Sequence, residues 1–265
     1  MASPSIPVSR RASVYSSAPV PRGWGIAEEV PVEIGFNGTA WTVMMATPAD
    51  IEDLAIGLAL TEGAVAGGRD IDGVDVRQWP EGLTADIRIA PELLRSERVH
   101  RRALDGRTGC GLCGIEKLAD LQAPPVAVPP GPVIAPTAIR AALGALPDHQ
   151  HLNRETRSVH GAAWCRTDGE IILVREDVGR HNALDKLAGA RLRHGETTDE
   201  GFVVMSSRCS FELVFKAARM RAALLAAQSA PTGRALDLAQ RLSLPIAATG
   251  SRGAIVFFAP ERADE

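Results

Sequence analysis

Apolar positions in the first third of the chain follow a two-residue period before they follow a helical one. Val30, Val32, Ile34 and Phe36 fall on one side of a strand, with Pro31, Glu33 and Gly35 on the other. Asn37-Gly38 is the strongest two-residue hairpin signal, and Thr39 to Ala46 returns as the partner strand. Thr47-Pro48 then predicts a helix N-cap and first helical position, with Asp50, Glu52 and Asp53 in the first turn, where negative charge is favoured. That helix runs to about Glu62 and Gly63 closes it. Val74 to Arg77 and Thr84 to Ile89 read as strands about a Pro80-Glu81-Gly82 turn, and Pro91 to Arg102 as a basic helix. Its arginines, 95, 98, 101 and 102, form a solvated face or a docking surface for an anionic partner.

The pattern breaks at the proline-dense run that ends at Pro136, which can be neither helix nor interior strand. It predicts a linker over 124–136 between an N-terminal domain (24–123) and a C-terminal domain (137–265), after a disordered tail (1–23). Beyond it the grammar changes. A helix from about Pro136 to Leu146 precedes strands at Val159 to Cys165 and Glu170 to Glu176, turned by Asp168-Gly169. Asn182 to Arg193 is a helix. Gly201 to Met205 is continuously apolar, the mark of a strand buried on both faces. Ser210 to Met220 and Pro231 to Leu242 are helices around a strand at Ala223 to Gln228, and Ile246 to Ala248 and Ala254 to Phe258 are closing strands. Strand and helix alternate, so the expected class is α/β, a three-layer C-terminal domain with a smaller, β-rich α+β N-terminal part.

Composition narrows the function. The chain has 265 residues and a net charge of −3, so no basic excess points to nucleic acid. No apolar run is long enough to span a membrane. Ser9-Arg10-Arg11 resembles an export signal, but a polar, proline-broken stretch follows rather than an apolar core. Four cysteines make no disulfide framework, and Cys165 and Cys209 sit in apolar stretches as inert core thiols. That usage fits a reducing compartment, the cytoplasm.

The remaining two cysteines carry the chemistry. Arg107-Thr108-Gly109-Cys110-Gly111-Leu112-Cys113-Gly114 leaves its sulfurs unshielded among glycines. Cys-x-x-Cys serves half a zinc site, a dithiol couple, or a nucleophilic thiol with a neighbour. No second Cys-x-x-Cys or His-x₃-His completes a zinc site, and a thioredoxin motif would follow a buried strand. Ile115 to Leu121 has helical spacing, which puts Cys113 at a helix N-terminus where a thiolate is favoured, with Arg107 adding positive potential. The reading is a reactive thiol on a flexible arm.

Three polar clusters fall where strands of an open α/β sheet end, the place such sheets bind ligands. Glu176, Asp177, Arg180, His181, Asp185 and Lys186 form a dense titratable group, although His181 would serve equally as a helix cap. Ser206-Ser207-Arg208-Cys209-Ser210-Phe211-Glu212 offers hydroxyls and a guanidinium for an anion, or simply caps a helix through Ser210. Ala248-Thr249-Gly250-Ser251-Arg252-Gly253 could wrap a phosphate with its backbone. Three such loops together point to a ligand with several phosphates.

These segments resemble the FdhD family of formate dehydrogenase accessory sulfurtransferases. The likeness is carried by Gly106 to Gly114, by Glu176-Asp177-Val178-Gly179-Arg180-His181-Asn182-Ala183-Leu184-Asp185-Lys186-Leu187, and by Ser206-Ser207-Arg208 with Ser210 and Glu212. Glu28 to Val32, Met44 to Pro48 and His160-Gly161-Ala162-Ala163-Trp164 add to it. The resemblance implies a cytidine-deaminase-like C-terminal α/β/α domain and a homodimer. It implies that a cysteine desulfurase passes persulfide sulfur to Cys110, with Cys113 as its close neighbour. The sulfur then goes to the molybdenum (or tungsten) bis-molybdopterin guanine dinucleotide cofactor of formate dehydrogenase. Expected cofactor contacts are His160, Arg180, His181, Ser206, Ser207, Arg208 and the loop Ala247, Ala248, Thr249, Gly250, Ser251, Arg252. Where the family has an aromatic and then a basic residue, this loop has Ala248 and Thr249. Ser158 stands where some relatives carry another cysteine, which argues against a second sulfur relay there. The competing expectation is a non-enzymatic chaperone that binds the cofactor and grips the client through the cysteine segment.

Overall fold

The computed structural model describes residues 6–12, 24–95, 127–195 and 200–258. Cys110, Cys113 and the helix expected at Ile115 to Leu121 lie outside these residues. Strands β1 (Ser9–Ala12) and β2 (Trp24–Ala27) pair antiparallel. The tail expected through Gly23 therefore contains a strand, tied down by the Arg10–Glu28 ion pair and the bond from Ser9 to Glu155. The hairpin β3 (Val30–Phe36) and β4 (Thr39–Ala46) follows, turned by Asn37 and Gly38 at positive φ. Helix α1 (Ile51–Thr61) and strands β5 (Ile71–Trp79) and β6 (Gly82–Ile89) complete a four-stranded sheet of order β4-β3-β6-β5. Val32, Ile34, Leu83, Ala85 and Ile87 face Leu54 and Leu58 of α1 in one core.

Thr47 does not cap α1. The helix begins at Ile51 behind a left-handed Asp50, because every polar group of Thr47 is taken by the second half of the chain. Its N–H donates to Asp177, its carbonyl accepts from Lys186, and its hydroxyl accepts from the Val178 N–H. The basic helix expected from Pro91 is, within the described residues, a single 3-10 turn at Pro91–Leu93 that gives way to extended Leu94.

Residues 127–135 carry neither helix nor strand, yet they are not a free spacer. Val128 and Ile134 are buried, and the Val128 N–H bonds Leu242. Next come α2 (Pro136–His149), the short α3 (His151–Thr156), β7 (His160–Arg166), β8 (Ile171–Asp177), α4 (Arg180–Arg193) and β9 (Gly201–Cys209). The chain closes with α5 (Phe211–Arg219), β10 (Leu225–Pro231), α6 (Gly233–Leu242), β11 (Ile246–Thr249) and β12 (Ile255–Phe258). Pro231 ends a strand instead of starting a helix; Thr232 caps α6 by accepting from the Ala235 N–H. Helix α3 escapes a pattern reading because it is one and a half turns held from outside. Both Glu176 carboxylate oxygens accept from its first N–H groups, at Leu152 and Asn153.

The second sheet has six strands in the order β12-β11-β10-β9-β7-β8, with β9, β10 and β11 parallel and β7 antiparallel to both neighbours. Successive residues of β9 point to opposite faces. Phe202 and Val204 pack with Ile139, Ala142, Leu143 and Leu146 of α2. Val203 and Met205 pack with α4, α5 and α6 through Leu184, Leu187, Leu213, Val214 and Leu238. Helices on both faces explain the unbroken apolar run and make this half a three-layer α/β/α arrangement.

Helix α1 joins the two halves. It is buried nearly all round, as expected of a helix pressed between a sheet and another helix. Gly57 meets α4 so closely that a Cβ would stand 1.7 Å from the Asp185 carbonyl oxygen, and one on Gly189 would stand 1.9 Å from that of Asp53. Buried ion pairs flank the contact. Lys186 lies 2.6 Å from Asp177, Lys216 lies 2.9 Å from Asp185 and 3.1 Å from Glu62, and Asp53 takes both Arg175 and Arg193 at 2.8 Å.

Cys165 and Cys209 are fully buried, and burial pushes both thiols up to about 12. In a Cys110→Ser/Cys113→Ser variant the folded protein should not react with a thiol reagent such as Ellman's at about pH 8, and two thiols should appear on unfolding. A fast thiol in the folded variant would contradict this packing.

Candidate functional site

Strand direction decides what gathers. Because β7 runs against both β8 and β9, strands β8, β9, β10 and β11 all point the same way. Their carboxyl ends, at Asp177, Cys209, Pro231 and Thr249, form one rim together with His160 at the start of β7. The three polar clusters of the sequence meet there. Four strand spacings separate β8 from β11, about 19 Å.

His160 lies close to the first turn of α4 and to Asp177. Burial, then the charges of Arg180 and His181, lower its pKa from 6.5, against the opposite pull of Asp177. In the unfolded chain the ring titrates at its ordinary value. Between the two values the unfolded state holds the extra proton, so stability rises with pH across that window and is lost as pH falls through it. Between about pH 7.5 and pH 5 the wild type should lose more unfolding free energy in urea than His160→Gln; equal losses would mean the ring is not held this way.

Arg180 opens α4 behind Gly179, and its Nε is buried with no hydrogen-bond partner among the described residues. Such a group fits a site that an anionic ligand completes. The His181 Nε2 lies 2.9 Å from Glu212 Oε2 and 3.5 Å from Ser210 Oγ. Asp177 is a hub: Oδ1 accepts from the Gly179 N–H and from Asn182, while Oδ2 accepts from the Thr47 N–H and pairs with Lys186.

The serine cluster lies within β9, not in a loop after it. Ser206 Oγ accepts from the Gly161 N–H at 2.8 Å, Ser207 is buried and donates to the Arg208 carbonyl, and Arg208 is exposed. Ser210 is the N-cap residue of α5 but makes no side-chain cap bond. In the last loop, Ala247 and Ala248 are strand residues with buried side chains, so neither offers a side chain to a ligand. Thr249, Ser251 and Arg252 are exposed, Arg252 in the left-handed region, and the Gly250 N–H is spent on the Ala254 carbonyl. The side chains that this turn presents to solvent are thus Thr249, Ser251 and Arg252.

Sequence reasoning placed Glu212 at this end of the molecule, in the second polar cluster, but read Thr47 as a helix cap. Nothing local announced the contacts of Thr47, since its partners are 130 or more positions away. No group of three or more His, Cys, Asp or Glu side chains among the described residues could hold a metal ion.

The interval that contains Cys110 and Cys113 is anchored elsewhere. The Arg95 N–H bonds Ala64 beyond the end of α1, and Val128 bonds Leu242 at the end of α6, just before β11 begins. The Val128 anchor therefore lies at the amino edge of the parallel strands, opposite the rim.

Residues 27–264 match the model of the FdhD/NarQ family. The chain belongs to that family. It is 44% identical over 238 residues to the sulfur carrier protein FdhD of Cupriavidus necator, covering 89% of this chain and 83% of that one. It is 48% identical over 225 residues to the protein of the same name from Chromobacterium violaceum, covering 84% and 83%. A crystal structure of a protein provisionally assigned as a formate dehydrogenase accessory protein, from Desulfotalea psychrophila, shares the fold. Its TM-score is 0.73 at 20% identity, over 96% of this chain and 98% of that one. The segments 176–187 and 206–212, which carry the resemblance, meet at their helix starts through the His181–Glu212 contact.

Proposed function

We propose that this chain is a sulfur carrier for the maturation of formate dehydrogenase, with Cys110 as the persulfide-bearing residue. The observation that carries the reading is an elimination. Cys165 and Cys209 are sealed in the core, so in a family whose relatives are named sulfur carriers the exchangeable sulfur belongs to Cys110 and Cys113. Loading needs no external oxidant. The Cys110 thiolate attacks the outer sulfur of the persulfide on a cysteine desulfurase, a new S–S bond forms on Cys110, and the desulfurase cysteine leaves as thiolate.

The acceptor is the molybdenum (or tungsten) bis-molybdopterin guanine dinucleotide cofactor, a substrate of this protein and no resident group. Its terminal sulfur ligand is what the carrier supplies. The outer sulfur parts from Cys110, which leaves as thiolate, and the reduced metal of the substrate gives the two electrons that bring that sulfur to the sulfide level. Arg180, Arg208, Ser251 and Arg252 are the donors suited to its phosphates. A rim about 19 Å wide suits a dinucleotide better than a mononucleotide. From Arg95 to Cys110 the chain has fifteen residues, a contour of about 50 Å that exceeds the length of the sheet's strands. The working form is a cytoplasmic homodimer. Incubation with a desulfurase and cysteine should add one sulfur atom to the Cys110 peptide, seen by mass spectrometry. An adduct on Cys113 alone, or none, would sink the assignment.

A further inference from the structure

Helices α4 and α5 begin side by side with opposite charges in their first turns: Arg180 and His181 on one, Glu212 on the other. His181 holds Glu212 by Oε2 alone, at 2.9 Å, with both side chains mostly buried. The second oxygen, Oε1, makes no hydrogen bond among the described residues and is not sealed from solvent. The same rim also presents donors, namely His160, Arg180, Ser206 and Arg208, which suit phosphate. A carboxylate repels phosphate and pairs instead with a donor edge that bears no negative charge. A guanine nucleotide has two, the base edge with its 2-amino group and the ribose hydroxyls. A ribose diol is gripped best by two carboxylate oxygens, and here His181 occupies one. A single free acceptor suits a single amino group.

We propose that Glu212, positioned by His181, selects guanine by accepting a hydrogen bond from its 2-amino group. The inference rests on the reading above that the cargo carries guanine nucleotide. Hypoxanthine lacks that amino group and is otherwise the same base, so it isolates the contact.

The test is calorimetric titration of the full chain with GDP, IDP and 2′-deoxy-GDP. Wild type should bind GDP about tenfold or more tighter than IDP, the size of a hydrogen bond to a charged group. Glu212→Gln should bring that ratio to about one and leave IDP affinity within about threefold. Where Glu212→Gln melts below the assay temperature, Glu212→Asp, which withdraws the oxygen but keeps the charge, is held to the same criterion. A GDP to IDP ratio unchanged in the variant overturns the inference while the cargo reading stands. A variant that erases only the preference for GDP over 2′-deoxy-GDP overturns it too, since Glu212 would then serve the ribose. Wild type that binds neither GDP nor IDP overturns the cargo reading and takes this inference with it.

Discussion

Cys110→Ala abolishes the sulfur adduct and drops formate dehydrogenase maturation to background, the largest effect expected of any single substitution here. In the function proposed above the persulfide is the covalent intermediate, and an alanine has no atom to hold the sulfur. Neither core thiol substitutes, because Cys165 and Cys209 would have to ionise against the burial that pushes them to about 12. Cys113→Ala should cost less, since a neighbour tunes or resolves a thiolate without being the carrier. The measurement is formate-dependent dye reduction by formate dehydrogenase matured in cells that hold only the variant. Full activity with Cys110→Ala would leave the chain as a cofactor-binding chaperone, with the cysteine segment a grip on the client.

Gly57→Ala and Gly189→Ala should each destabilise the fold by about 3 kcal/mol or more, an exceptional cost for adding one methyl group. The added carbons would stand 1.7 Å and 1.9 Å from carbonyl oxygens of the opposing helix. Those oxygens are backbone, so a rotamer change cannot relieve the clash and α1 must lift off α4. Lifting it pulls Thr47 away from Asp177 and Lys186, and Thr61 and Glu62 away from Lys216. It would leave buried charges short of partners. Gly144 of α2 is the control: it is exposed, and a Cβ there meets nothing within 4 Å. Gly144→Ala should stabilise by about 0.5–1 kcal/mol, because alanine loses less backbone freedom in a helix. Urea unfolding of the three variants checks both signs; equal midpoints would mean that α1 and α4 are not in contact.

The alternation of Val30 to Phe36, the Asn37-Gly38 turn and the continuous run at Gly201 to Met205 were legible because side-chain period and turn chemistry act over a few residues. Where the reading slipped, a distant partner had outbid a local preference. Thr47 abandoned its cap for Asp177, Val178 and Lys186. Ser206 and Ser207 stayed in β9, and there Ser206 accepts from Gly161 across the sheet. Gly57 and Gly189 carry no local signal, since nothing in either helix announces the other's backbone so close by.

Local sequence alone determined the α/β class and most of the strands and helices, for these depend on periodicity, and it singled out Cys110 and Cys113 as candidate reactive thiols from the glycines around them. Tertiary structure decided which clusters share one rim, that Thr47 bonds Asp177, Val178 and Lys186, and that His181 leaves Glu212 one free oxygen. Those facts depend on strand order and helix approach, which bring together residues tens of positions apart, and no short window of the chain encodes such a distance.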